Sequence, residues 1–208
     1  LTRLKLQYRE ELVSYPDKKK KGAIVQKTLG QLVQKRAISP KQGALLFKIV
    51  NYFKPVHILQ IGTNMGLSTL YLTSYASGLQ CIALESNPAF ASVARETFKQ
   101  ARNPIDLREG DYTDLLPKAL EDMEAVDFVY FNMQDDDICC SSLFNKCVEQ
   151  THQNSVFVFK GIKSSSKMRI AWKEICSHPK VTVTMDLYAL GIVFFNDKLH
   201  KRNYITYY

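Results

Sequence analysis

The sequence predicts an α/β protein: a doubly wound, mostly parallel seven-stranded sheet that ends in an antiparallel β-hairpin, with helices set before it at the N-terminus. Three observations carry this. From residue 56 onward, short apolar runs alternate with helical stretches, the rhythm of right-handed βαβ units. The first run, Ile58-Leu-Gln-Ile61, stops at Gly62 and reopens after Gly66 as a helix. The last two runs, Val181–Met185 and Gly191–Phe195, stand too close together for a helix between them and must pair as a hairpin.

The elements follow in order. Leu1 to Val13 reads as an amphipathic helix, and Ala23 to Ala37 as a second, with Ile24, Leu29, Leu32 and Val33 available for one face. Between them Lys18 to Lys21, flanked by Pro16 and Gly22, reads as a solvated linker. A third helix begins at Ser39-Pro40, where serine caps and proline suits the first turn. Residues 1–55 thus form an N-terminal helical segment, suited to a cap or to dimer contacts, and 56–208 the sheet domain. Parallel strands are expected over Val56–Ile61, Gln80–Leu84, Ile105–Arg108, Val126–Phe131 and Val156–Phe159.

Composition narrows the class. With 208 residues and 46% hydrophobic content, the chain can build a sizeable core. No apolar stretch approaches the roughly 20 residues needed to span a bilayer, and no signal peptide is evident, so a cytoplasmic protein without a membrane partner is expected. The five cysteines (81, 139, 140, 147 and 176) include no C-x-x-C pair and read as reduced thiols. The net charge of +8 could suit a polyanion, but no aromatic-rich RNA-binding signature accompanies it, and nucleic acid is not favoured.

The glycine turn bears most on function. A plain strand-to-helix turn would explain Gly62, but in a doubly wound sheet ligands bind beyond such turns. A phosphate-cradling loop needs a lysine after the second glycine, and none follows Gly66. The usual dinucleotide pattern needs glycine at position 64, which is Asn. S-adenosylmethionine has no phosphate, so a looser turn suffices, but its ribose asks for an acceptor at the end of the second strand. Glu85 stands there. After the third strand, Asp111 can accept from an adenine amino group and Tyr112 can cover the ring.

Together, Ile61-Gly62-Thr63-x-x-Gly66-x-Ser68-Thr69, Ala83-Leu84-Glu85, Glu109-Gly110-Asp111 and Val126-Asp127-Phe128-Val129 resemble the class I S-adenosylmethionine-dependent methyltransferases. Within that Rossmann-like class the likeness is to the small O-methyltransferases related to catechol and caffeoyl-CoA O-methyltransferases. The resemblance implies that Gly62, Thr63 and Gly66 pass close to the methionine part and that Ser68 bonds its carboxylate. It implies further that Glu85, with Ser86 beside it, holds the ribose, and that Asp111 and Tyr112 border the adenine. A homodimer built on the N-terminal helices and a small-molecule acceptor are implied as well.

Three positions depart from the family's pattern. Gln60, Asn132 and Lys160 stand where the family carries strand-end acids. A divalent metal needs hard oxygen donors, and a lysine would repel it, so no metal is expected. Asp135-Asp136-Asp137 reads as a solvated loop that caps the following helix. Asn132 and Lys160 are the catalytic candidates: a buried lysine can act as a base, since desolvation lowers its pKa. Two functions follow, a metal-independent methyltransferase or a catalytically inactive relative with a binding or regulatory role.

Overall fold

The computed structural model describes residues 2–16, 23–133 and 140–208. The N-terminal part departs from the sequence expectation. Instead of one helix over Leu1–Val13 there is a short α1 (Thr2–Gln7) followed by a strand, β1 (Leu12–Pro16). From Leu12 burial alternates residue by residue, with Val13 and Tyr15 inward, which is the period of a strand. β1 pairs antiparallel with β2 (Ile24–Thr28), so the helix expected over Ala23–Ala37 is cut short too. α2 (Leu29–Arg36) begins only where Thr28 and Gln31 satisfy each other's backbone N–H groups in a capping box. The Lys18–Lys21 run lies outside the described residues. α3 (Pro40–Phe53) starts as the sequence predicts, capped by Ser39.

The sheet domain then unfolds in strict alternation: β3 (His57–Ile61), α4 (Leu67–Thr73), β4 (Gln80–Glu85), α5 (Pro88–Phe98), β5 (Asp106–Glu109), α6 (Tyr112–Glu121), β6 (Phe128–Phe131), α7 (Cys140–Val148), β7 (Val156–Lys160) and α8 (Ser166–Ser177). β8 (Val183–Asp186) and β9 (Leu190–Phe194) form the expected hairpin, and β10 (Arg202–Ile205) follows. Strand order is β10-β8-β9-β7-β6-β3-β4-β5, with β9 antiparallel to both its neighbours. The sheet has eight strands rather than the seven expected. The extra strand, β10, lies at the edge with every residue exposed, so it carries no burial pattern for a sequence reading to find.

Side chains alternate between two cores. Leu59, Ile61, Val129, Phe131, Phe157 and Phe159 face α6, α7 and α8. Ile58, Phe128, Tyr130, Val156 and Val158 face α3 and α4. A third cluster joins Val13, Tyr15, Leu29 and Leu32 to Met65, Leu67 and Phe90, so the N-terminal hairpin and α2 are laid over the start of α4 and α5. Tyr15 packs against Phe90 at 5.2 Å, and the Arg36 guanidinium stacks over both rings. This places the N-terminal segment beside the carboxyl ends of the strands, where a doubly wound sheet binds its ligands.

Candidate functional site

Register builds the site. Ile61 pairs with Leu84 on one side and Phe131 on the other, and Phe131 pairs with Phe159. One residue further along each strand, Glu85, Gly62, Asn132 and Lys160 therefore form a row across β4, β3, β6 and β7. Adjacent strands lie about 4.8 Å apart, so the row spans about 14 Å. Three of the four were singled out by the sequence as a ligand acceptor or as departures, and the fourth is the first glycine of the turn.

Gly62 has φ +86°, and a Cβ there would sit 2.7 Å from the carbonyl oxygen of Asn132. Only glycine allows both that backbone and that approach. Its N–H and that of Thr63 donate to Leu84 O, while Asn132 N–H donates to Ile61 O. The Thr63 hydroxyl donates to the same Leu84 carbonyl. Gly66, with φ +80°, stands at the N-cap of α4, and a Cβ there would meet the Phe98 ring. Asn64 also takes a positive φ of 52°, a conformation asparagine tolerates better than most residues. Its side chain donates to Asn132 O and its backbone N–H to Glu85, at 2.6 Å. The sequence reading passed over Asn64, although an asparagine between two glycines in a tight turn is a recognisable signal.

Glu85 is buried and accepts from the backbone N–H groups of Asn64 and Asn87, so its carboxylate clamps the glycine turn to the end of β4. A carboxylate offers about four acceptor positions, so these two bonds do not exhaust its capacity. Ser86, next in the chain, is half-buried. Asp111 caps α6: it accepts from the N–H and hydroxyl of Thr113, and those bonds, the hydroxyl's first, hold its carboxyl below the usual range. It remains exposed to a ligand, whereas Tyr112 is buried in the core beside Leu116.

Gln60 is fully buried on β3, two residues before the row, and both its amide nitrogen and its amide oxygen are bonded. Nε2 donates to Gly62 O and to Ser68 Oγ, and Oε1 accepts from the Thr69 hydroxyl. A glutamate could not donate to the Gly62 carbonyl. Because Ser68 Oγ accepts from Gln60, its own proton is left to donate. The amide thus keeps Ser68 in the polarity that an anionic ligand group needs.

The other half of the row is different. Asn132 is buried, and among the described residues its Oδ1 has no hydrogen-bond partner. Buried polar atoms are nearly always paired, so an orphan at a strand end marks a place for a ligand. Lys160 Nζ donates to Arg36 O at 2.8 Å. Burial pushes its pKa down to about 8, and the charges of Arg3 and Arg36 push in the same direction. Among the described residues Lys160 makes no ion pair. The sequence could not foresee Arg3 and Arg36 at this place, because only the fold of the N-terminal segment brings them there. Asp135, Asp136 and Asp137 lie outside the described residues.

Known proteins share this fold. Residues 11–165 match the model of the O-methyltransferase family. A catechol O-methyltransferase B of Danio rerio is 29% identical over 100 residues, which is 46% of this chain and 38% of that protein. A catechol O-methyltransferase of Niastella koreensis is 29% identical over 89 residues, 41% of this chain and 40% of its own. The matched segments thus span about two fifths of these curated relatives. Among solved structures, an O-methyltransferase from Bacillus cereus in complex with SAH superposes with a TM-score of 0.65 at 20% identity, covering 77% of this chain and 83% of the other. One from Streptomyces achromogenes involved in tomaymycin synthesis, solved with SAM, gives 0.66 at 18%, covering 77% and 82%. The fold is therefore that of these enzymes, and with three quarters of the chain matched by the family model, the protein belongs to the O-methyltransferase family.

Proposed function

We propose that the protein is an S-adenosylmethionine-dependent O-methyltransferase that acts on a small-molecule acceptor without a metal ion. The observation that carries this is the strand-end row, in which a carboxylate, a glycine turn, an orphaned amide oxygen and a depressed lysine stand side by side. Gly62, Thr63, Gly66 and Ser68 would face the methionine part of the cofactor, Glu85 and Ser86 the ribose, and Asp111 the adenine end, while the Tyr112 ring stays in the core.

S-adenosylmethionine supplies an electrophilic methyl group on sulfur, so the chain's task is to present an acceptor hydroxyl in a dry site and remove its proton. Lys160 suits the second role, since near pH 8 a substantial fraction is neutral and its lone pair can take that proton. Asn132 Oδ1 can only accept, so it orients a hydroxyl or an ammonium group by receiving its hydrogen bond. The donors at the place of the family's metal-binding acids are one neutral amide oxygen and one ammonium, a set that suits no divalent ion. The replaced acids also favour a second reading, a non-catalytic relative that keeps the cofactor. Among the described residues the unbridged thiols of Cys81, Cys147 and Cys176 support a cytoplasmic setting. The exposed Tyr8, Leu12, Ile24 and Tyr52 of the N-terminal segment support a homodimer, which light scattering would test.

Calorimetric titration with S-adenosylmethionine and S-adenosylhomocysteine tests the reading. Saturable binding is expected, and Glu85→Gln, which keeps one carbonyl acceptor for the turn, should weaken it by at least about tenfold. Absence of heat up to about millimolar ligand would sink it. Binding without methyl transfer to any hydroxylated acceptor would favour the non-catalytic relative.

A further inference from the structure

α1, the turn that follows α2, and the outer face of α4 enclose a cavity of about 260 Å³. Ile38, Leu67 and Leu70 give it apolar walls, and Tyr71 and Ser74 add hydroxyl groups. One charged residue enters it, Arg3. Its Nη1 donates to Ile38 O, which fixes the guanidinium and leaves most of its five donors unused. Among the described residues no carboxylate pairs with Arg3, although it is half-buried.

Leu67 follows Gly66 directly, so the wall begins where the glycine turn ends. Lys160 holds Arg36 O and Arg3 holds Ile38 O, two carbonyls of one extended segment roughly 7 Å apart. Two cations therefore grip the same short stretch of backbone, and after burial the Arg3 charge is the next cause that lowers the pKa of Lys160. Partly desolvated like charges with no counter-charge are costly, and an anion placed between them removes the cost.

We propose that this cavity binds a small amphipathic anion, with Arg3 holding a carboxylate or phosphate group and Ile38, Leu67 and Leu70 enclosing an apolar body of about one ring. As the methyl acceptor, an assignment that rests on the methyltransferase reading, such a molecule would turn its hydroxyl toward Lys160 and Asn132. The volume sits just below the usual range for ligand pockets, which favours a single-ring compound over a conjugate or a polymer.

Titrating the protein with 4-hydroxybenzoate, the neutral 4-hydroxybenzyl alcohol and phenyl phosphate, each with and without saturating S-adenosylhomocysteine, tests the proposal. The anions should bind at least about tenfold more tightly than the alcohol, and whichever anion binds better identifies the charged group. Arg3→Gln should remove that preference, Arg3→Lys should keep part of it, and both should leave S-adenosylhomocysteine affinity within about twofold, which also reports an intact fold. Equal binding of alcohol and anions, a preference that survives Arg3→Gln, or no binding of any probe would each overturn the proposal. If S-adenosylhomocysteine fails to bind while the Arg3-dependent preference persists, the methyltransferase reading falls and the anion site stands.

Discussion

The two halves of the strand-end row meet their polar demands in opposite ways. On the side of β3 and β4, every group is tied into the chain: Glu85 to two backbone N–H groups, Thr63 and Gly62 to Leu84 O, Gln60 to Gly62, Ser68 and Thr69. On the side of β6 and β7, among the described residues, Asn132 Oδ1 has no partner, and Lys160 has a carbonyl and two cations near it. The first half is a scaffold whose geometry is set before any ligand arrives. The second carries unmet demand, and that is where an acceptor would gain most from binding and where chemistry is to be sought.

Gly62→Ala strikes the scaffold hardest. The new Cβ would meet backbone rather than a flexible side chain, and the positive φ adds strain, so a loss of about 3 kcal/mol or more is expected. Gly78 is the control: its φ is +77°, but a Cβ there meets nothing within 4 Å. Gly78→Ala should cost only about 1 kcal/mol, the backbone contribution alone. Equal costs in urea denaturation would mean that the approach of Asn132 to the turn contributes nothing.

Gln60→Leu comes next. It leaves the Gly62 carbonyl and the Ser68 and Thr69 hydroxyls without their partner in a dry interior, at a cost of about 2–3 kcal/mol. Cofactor affinity should fall with it, because Ser68 would turn its proton inward. A stable variant with full affinity would remove Gln60 from the scaffold half.

Lys160 tests the other half through pH. Its folded pKa of about 8 lies below the ordinary 10.5, so between those values the unfolded chain binds more protons than the folded one. Stability from this group therefore rises as pH climbs through that window, and below about pH 8 the buried lysine costs about 3 kcal/mol at most. Lys160→Met should stabilise the protein by about 2 kcal/mol at neutral pH, with the gain shrinking toward pH 10. If Lys160 is the base, methyl transfer in the parent should rise through pH 8 and the methionine variant should lose that rise along with the activity. A gain that is flat with pH would mean that Lys160 titrates normally.

The contrast also explains what the sequence made legible. The scaffold half is written in local terms: glycines at a strand-to-helix junction, and Glu85 at a strand end counted from them. The alternation of runs placed β3 to β7, most of which are buried on both faces and read as continuous apolar segments, and the close spacing of the last two runs placed β8 and β9. β1, β2 and β10 escaped that reading. They are short and mostly exposed, and only their pairing partners distinguish them from helix or loop. The convergence of Arg3, Arg36 and Lys160 was likewise invisible, since residues 3 and 160 meet only after the N-terminal hairpin folds across the sheet.

Asn132→Leu should have the smallest effect on stability and the most telling effect on function. In the scaffold half, removing a polar side chain strands its partners. Here the amide oxygen has no partner to strand, and replacing it with an apolar group of similar size removes an unmet demand. A change within about 0.5 kcal/mol is expected, of either sign. Ligand binding should behave in the opposite way, because the unpaired acceptor that Asn132 offers at the β6 end is gone. Acceptor or cofactor affinity should drop by about tenfold while the denaturation midpoint stays in place. A variant that loses both together would show that Asn132 is one more strut of the scaffold, and the division of the row into a finished half and an expectant one would fail.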